Sequence, residues 1–147
     1  MTEPCLPEPK AQAQQLKELA ESLRYAGTIQ QALFPPHEEI QIWFPEHFLV
    51  FLPGQAEGGD FYLISGARNR GGLAVGDCTG HGVPGALLSI LGMTLLKTLI
   101  SRTYTLNPAQ VLNHMREHIM HALGQRGLLK EPRDGIDMAL CRIDFRE

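Results

Sequence analysis

Two aspartates of this sequence, Asp60 and Asp77, stand at the outer ends of two short apolar runs, residues 61 to 64 and 73 to 76. The polar, glycine-rich segment between the runs predicts an antiparallel β-hairpin. With the turn midway along that segment, the pairing places Asp60 directly opposite Asp77. The two carboxylates would then be cross-strand neighbours on one face, with Cβ atoms about 4.5 to 5.5 Å apart.

Two like charges held this close destabilise a sheet unless something neutralises them. A shared proton would do so, but the open, glycine-rich surroundings better suit a hard divalent cation with oxygen ligands and several waters. The backbone carbonyl of Cys78 could serve as a further ligand, because glycines let the chain approach a bound ion closely. Two such cations about 3.5 to 4 Å apart could share a bridging carboxylate and activate the water between them. The glycines concerned are Gly58, Gly59, Gly76, Gly80 and Gly82.

The residues that follow Asp77 favour a phosphate as the substrate group. Residues 82 to 84 lead into a predicted helix, whose amino-terminal amides would point toward the same site. A cation and a helix amino terminus together attract a phosphate. His81 lies just before this helix and is a candidate substrate-binding residue for the phosphate or the leaving group, although a loop histidine near a site is more often a positioning or bystander residue.

The elements that must hold this site begin with a helix. Residues 1 to 9 are rich in proline and predict a flexible leader, and apolar residues then recur at heptad-like spacing until Pro35 and Pro36 end the pattern. This helix either folds back on its own domain or pairs with a second copy as a coiled-coil linker, giving a homodimer. The apolar positions are Leu16, Leu19, Leu23, Ala26 and Leu33, with Gln30 interrupting them.

The rest of the chain predicts strands and helices in alternation. Residues 40 to 52 mix β-branched and aromatic residues, which suggests two short strands or one bent strand. Residues 82 to 103 are apolar on nearly every side, as in a buried helix. Asn107 is a plausible N-cap of a further helix that ends near Gly124, and residues 136 to 145 alternate like a strand. The predicted class is α+β.

Composition limits the classes of function. The chain has 147 residues, of which 44% are hydrophobic and 20% charged, enough for one packed domain and an appendage. A net charge of -3 and a pI near 6.1 provide no basic field for nucleic acid. No apolar run approaches a membrane span and the amino terminus is not signal-like, so we expect no membrane insertion and a cytoplasmic location. The three scattered cysteines argue against a disulfide scaffold and a structural zinc site.

Four motifs are spaced along the chain: IQQALFPP at 29 to 36, EGGDFY at 57 to 62, GDCTGHGVPGALL at 76 to 88 and DGIDMALCRID at 134 to 144. In this order and at these intervals they resemble the SpoIIE/RsbU-type serine phosphatases of the metal-dependent PPM class. The resemblance implies a PPM-phosphatase-like α/β sandwich, with a central antiparallel β-sandwich flanked by helices. It also implies a pair of Mn²⁺ or Mg²⁺ ions that activates water to hydrolyse phosphoserine or phosphothreonine in a protein.

The resemblance assigns roles by position. Asp60 and Asp77 are expected to bind the metals and to act in catalysis through bound metals and water, with the Cys78 carbonyl as a further ligand. Residues 1 to 34 would be a leader and helical linker, and residues 35 to 147 the amino-terminal portion of the phosphatase domain. The substrate would be a phosphorylated regulatory protein of bacterial signalling, such as an anti-sigma-factor antagonist.

The family's remaining metal-binding aspartates lie in segments downstream of the last motif. The chain is therefore expected to be a truncated, weakly active fragment of such a domain. The alternative is a non-catalytic regulatory or dimerisation module that binds a partner through the amino-terminal helix. Three further carboxylates do not occupy family ligand positions and are not expected to bind metal: Asp134, Asp137 and Asp144.

Overall fold

The computed structural model describes residues 9–52, 58–67, 70–102, 107–126 and 134–145. These ranges contain four helices and three strands, which confirms the α+β class. Except for Pro9, the predicted leader lies outside the described residues. In chain order the elements are α1 (Pro9–Gln31), α2 (His37–Trp43), β1 (Phe61–Ala67), β2 (Arg70–Cys78), α3 (Gly82–Arg102), α4 (Pro108–Ala122) and β3 (Ile136–Asp144).

The three strands form one antiparallel sheet in the order β1-β2-β3. The predicted register of the first hairpin is confirmed, since Tyr62 pairs with Val75 and Ile64 pairs with Leu73. The last strand adds to the free side of β2. The described residues thus contribute one sheet layer of the sandwich that the resemblance implies. Helices α3 and α4 pack on one face of this layer, and Trp43 of α2 packs on the other.

The hairpin strands are longer than expected. The residues from Ser65 to Gly72 were predicted to form the loop, yet the described ones continue the pairing as far as Ala67 opposite Arg70. The prediction was wrong because a glycine here serves close packing rather than a turn. A Cβ atom on Gly66 would lie 2.6 Å from the Trp43 ring.

Helix α3 crosses the inner face of the sheet and forms the centre of the core. Met93 and Leu96 are almost completely buried against the sheet. A Cβ atom on Gly92 would lie 2.6 Å from Ile136, so the helix packs closely on β3. By length and composition alone, α3 is among the described helices the one long and apolar enough to cross a membrane, with a mean hydropathy of 1.7 over Gly82–Ser101. Its contacts with the sheet and with α4 account for this composition as that of a core helix.

Helix α4 begins as its sequence predicts. The side-chain oxygen of Asn107 accepts a hydrogen bond of 2.9 Å from the Gln110 amide, and the Gln110 side chain accepts one of 2.9 Å from the Asn107 amide. This reciprocal pair satisfies two amides that the first turn leaves unpaired. The helix ends next to Gly124, whose φ of +66° suits glycine.

The strands predicted for residues 40 to 52 are wrong. The segment begins in helix α2, and the described residues after Trp43 form no regular structure. Pro36 is the N-cap residue of α2 and has an extended conformation. Two glutamates in the first turn interact favourably with the positive end of the helix dipole. Burial of Ile40 secures the helix, so tertiary packing outweighs the β preference of the sequence.

The predicted amino-terminal helix is present as α1. Its contacts bear on whether it folds back on its own domain or pairs with a second copy. Its first half, Lys10 to Ser22, is exposed, while its last turns pack against α3. Leu16 and Leu19 are 67% and 57% exposed. The helix is therefore anchored to its own domain at one end only, and the boundary proposed after residue 34 stays a prediction.

Candidate metal centre

Asp60 and Asp77 lie opposite each other at the end of the β1–β2 hairpin. At this end the regular pairing of β1 with β2 stops at Phe61 opposite Gly76. The same register continues two residues further, because the Cys78 amide donates a hydrogen bond of 3.3 Å to the Gly59 carbonyl. Hydrogen-bonded and non-hydrogen-bonded pairs alternate along an antiparallel ladder, so the aspartate pair is of the non-hydrogen-bonded kind. In such pairs the Cα atoms are only about 4.5 Å apart and the side chains are closest. The predicted juxtaposition of the two carboxylates is present.

The electrostatics of Asp60 show that the carboxylates interact. Partial desolvation raises the pKa of Asp60 above its ordinary value, and the charge of Asp77 and a side-chain hydrogen bond with Asp77 raise it further. The side chain of Asp60 is nevertheless exposed. The pair is thus accessible from solvent, and a bound cation would relieve the repulsion.

Glycines let three backbone segments approach one another next to this pair. A Cβ atom on Gly59 would lie 2.7 Å from the Cys78 carbonyl oxygen and 3.2 Å from the Gly80 carbonyl oxygen. A Cβ atom on Gly85 would lie 2.6 Å from the same Gly80 oxygen. The residue before Asp60, the loop after Asp77 and the first turn of α3 therefore meet in a space that admits no larger side chains.

The Cys78 side chain has a different environment from its carbonyl. It is 4% exposed, and burial, with smaller contributions from Asp77 and Asp60, raises the pKa of its thiol to about 12. The thiol therefore stays protonated at neutral pH. The role of the Cys78 carbonyl as a metal ligand stays a prediction.

Asp137 is the carboxylate that the sequence analysis set aside. It pairs directly with Asp77 on β3, so Asp77 has an aspartate on each side across the sheet. All three line an open cleft of about 530 Å³ on the face of the sheet away from α3. The alternation of residues 136 to 145 could have indicated which face Asp137 occupies, but not its partner on β2. Exposed apolar residues line the remainder of the cleft: Leu49, Val50, Leu52 and Val75.

His81 is exposed at the turn before α3 and is not among the residues that line the cleft. Its proposed contact with a phosphate stays a prediction.

The two aspartates can provide some of the ligands of a hard divalent cation but not a complete set. Within the described ranges, no group of three or more histidine, cysteine, aspartate or glutamate side chains is placed to hold a metal ion. Mg²⁺ and ions like it bind through one or two carboxylates and keep several waters. Asp60 and Asp77 are suited to such binding, because the carboxylates are close, exposed and mutually repelling.

Comparisons with known proteins bear on the fold and on the family. The profile of Stage II sporulation protein E (SpoIIE) matches residues 67–147, a range that includes Asp77 and Cys78 but begins after Asp60. Among solved structures, the SiaA-PP2C domain of Pseudomonas aeruginosa is similar, with a TM-score of 0.72, 30% sequence identity and coverage of 89% of this chain. The chain spans 51% of that solved chain, about half its length. No curated protein matches the sequence.

Proposed function

The chain belongs to the family of stage II sporulation protein E, and on that premise we propose that it is part of a metal-dependent protein serine/threonine phosphatase of bacterial signalling. The observation that carries the proposal is the opposed pair of Asp60 and Asp77 at an open cleft. Carboxylates in this arrangement bind divalent cations well and are costly without them.

The residues of the site have separate tasks in this proposal. Asp60 and Asp77 would hold Mn²⁺ or Mg²⁺, two ions in a complete site, with the Cys78 carbonyl as a further ligand. The bound ions would supply positive charge for the phosphoryl oxygens and lower the pKa of water. Gly59 and Gly85 keep the backbone close around the site, and the exposed cleft leaves room for a phosphorylated side chain.

The structure disfavours a cysteine-based phosphatase mechanism for the described thiols. The nucleophile in such a mechanism is a thiolate, which a lowered pKa provides. Cys78 is buried with its pKa raised to about 12. Cys141 is exposed on β3, opposite Leu73 and several pairs away from Asp137. This observation supports the proposal that the chemistry at this site depends on carboxylates and bound metal.

The substrate follows from the family rather than from the site. We propose phosphoserine or phosphothreonine in a cytoplasmic regulatory protein, such as an anti-sigma-factor antagonist. The net charge of -3 provides no general attraction for a polyanion such as nucleic acid. Recognition would then depend on the bound cations and on contacts with the partner protein.

The proposal is tested by metal binding and by hydrolysis. Calorimetric titration with Mn²⁺ should show binding to the wild-type chain, and Asp77→Asn should abolish it. Mn²⁺-dependent release of phosphate from a phosphoserine protein should be weak in this chain and absent in Asp60→Ala. Wild-type Mn²⁺ affinity in Asp77→Asn, or undiminished hydrolysis in Asp60→Ala, would refute the assignment.

A second function, dimerisation through α1, is favoured by one observation. The heptad positions Leu16 and Leu19 are largely exposed, and so are the residues around them. A second copy that pairs along this surface would bury both leucines. Sedimentation equilibrium should then show a dimer for the chain and a monomer for the double variant Leu16→Lys, Leu19→Lys. A monomeric wild type would reject this function.

A further inference from the structure

One residue of α1 departs from the apolar pattern of its helix and is nevertheless buried. Gln30 occupies a heptad position where an apolar residue is expected, and it is only 3% exposed. Burial of a primary amide is unfavourable unless hydrogen bonds compensate for the lost water. The side chain must therefore have specific partners.

Those partners lie on two other segments. The Gln30 side-chain nitrogen donates hydrogen bonds of 2.6 Å to the Gly58 carbonyl and 2.6 Å to the Ser89 hydroxyl. Its side-chain oxygen accepts one of 3.2 Å from the Gly58 amide. Ser89 in turn donates a bond of 2.8 Å to the Ala86 carbonyl within α3. One amide group thus satisfies both backbone polar groups of Gly58 and connects them to α3.

The contacted segments are those that shape the candidate metal centre. Gly58 is two residues from Asp60, and Gly59 between them packs against the Cys78 carbonyl oxygen. Helix α3 begins directly after the loop that follows Asp77. We infer that Gln30 is a positioning residue, through which the end of α1 fixes the backbone before Asp60 relative to α3 and so sets the geometry of the metal ligands.

This arrangement gives α1 influence over the site. The first half of α1 is exposed, and among the described residues the helix packs against the domain near its end, so Gln30 is a point at which a displacement of α1 reaches the Asp60 segment. Groups that orient metal ligands without touching the metal commonly change metal affinity by about 10-fold to 100-fold when they are altered. The inference rests on the proposed function where it concerns metal affinity, but the positioning of Gly58 can be measured separately.

The test uses Gln30→Met in the full chain, because methionine has a similar shape and cannot form the three hydrogen bonds. The matched control is Gln31→Met, the same change at the next residue, which is exposed. Hydrogen–deuterium exchange without metal should be roughly fivefold faster at residues 58 to 60 in Gln30→Met. Exchange in β3 and α4 should be unchanged, and Gln31→Met should match the wild type. Mn²⁺ affinity should fall about tenfold in Gln30→Met only.

The outcomes separate local positioning from general stability. Unchanged exchange at residues 58 to 60, or an equal increase in every segment, would overturn the inference. If the wild type binds no Mn²⁺, the proposed function fails, and the local exchange still decides whether Gln30 positions Gly58. Should Gln30→Met not fold, Ser89→Ala removes one of the three bonds and should give a smaller, local increase at the same amides. Absence of that increase would also overturn the inference.

Discussion

The repulsion among the aspartates of the cleft predicts an unusual order of stabilities. Asp77 has a carboxylate opposite it on each side, Asp60 and Asp137, whereas among the carboxylates of the described residues each of these two lies opposite Asp77 alone. A directly opposed like-charged pair at an exposed site costs on the order of 0.5 kcal/mol, after allowance for solvent screening. Without metal, Asp77→Asn should therefore stabilise the fold by about 1 kcal/mol. Asp60→Asn and Asp137→Asn should each raise the free energy of unfolding by about half as much, because each removes one repulsive pair.

Thermal unfolding in EDTA measures this order. For a chain of this length, 1 kcal/mol corresponds to roughly 2 to 4 °C in Tm. The gain should shrink in 1 M salt, since the charges are exposed. The same substitution at an exposed carboxylate outside the pair, Asp134→Asn, should change Tm little. Saturating Mn²⁺ should make the wild type more stable than Asp77→Asn. A ligand at 100 times its Kd stabilises the protein that binds it by about 2.7 kcal/mol, and Asp77→Asn is expected not to bind Mn²⁺.

The pH dependence provides a second measurement of the same repulsion. The pKa of Asp60 is raised in the folded protein above its ordinary value of 3.8. Protonated Asp60 therefore favours the fold below pH 3.8, and this contribution is lost as pH rises through the higher, folded pKa. The advantage of Asp60→Asn over the metal-free wild type should grow across that window. Two outcomes of the thermal measurements would refute the reasoning. One is a Tm of Asp77→Asn below that of the wild type in EDTA, and the other is an equal increase in Tm of Asp77→Asn and the wild type on addition of Mn²⁺.

Three further predictions concern the surroundings of the site and the fold. Gly85→Ala should lower Tm and weaken Mn²⁺ binding, because its Cβ atom would lie 2.6 Å from the Gly80 carbonyl oxygen; overpacking of this kind costs about 1 to 3 kcal/mol. Iodoacetamide should modify the exposed Cys141 quickly and the buried Cys78 only on unfolding, as peptide mass spectrometry can follow. Asn107→Ala should reduce the free energy of unfolding by about 1 kcal/mol in urea titrations, because the capping box is lost.

Matched controls accompany these predictions. Gly135→Ala adds the same atom where nothing lies within 4 Å, so it should leave Mn²⁺ affinity unchanged. Asn113→Ala removes the same side chain from an exposed position inside α4 and should not destabilise the chain. Equal effects of test and control variants, or fast labelling of Cys78 in the folded protein, would contradict the packing described.

Local sequence determined much of the fold. The pairing of β1 with β2 follows from two apolar runs separated by a short segment, which leaves few possible registers. The start of α4 follows from Asn107 and the residues just after it. The opposition of Asp60 and Asp77 could therefore be predicted, while α2 could not, because burial of Ile40 outweighed the β preference of its sequence.

The tertiary structure decided what depends on segments distant along the chain. Asp137 lies opposite Asp77 because the packing of α3 and α4 on the inner face fixes where β3 joins the sheet. Gln30 meets Gly58 and Ser89 because α1 docks on α3, a contact that no local pattern of the helix specifies. By itself the sequence determined the pair of carboxylates, because their opposition is a property of one hairpin. The third carboxylate and the link from α1 needed the folded chain, because side-chain periodicity determines which face a residue occupies but not what lies across from it.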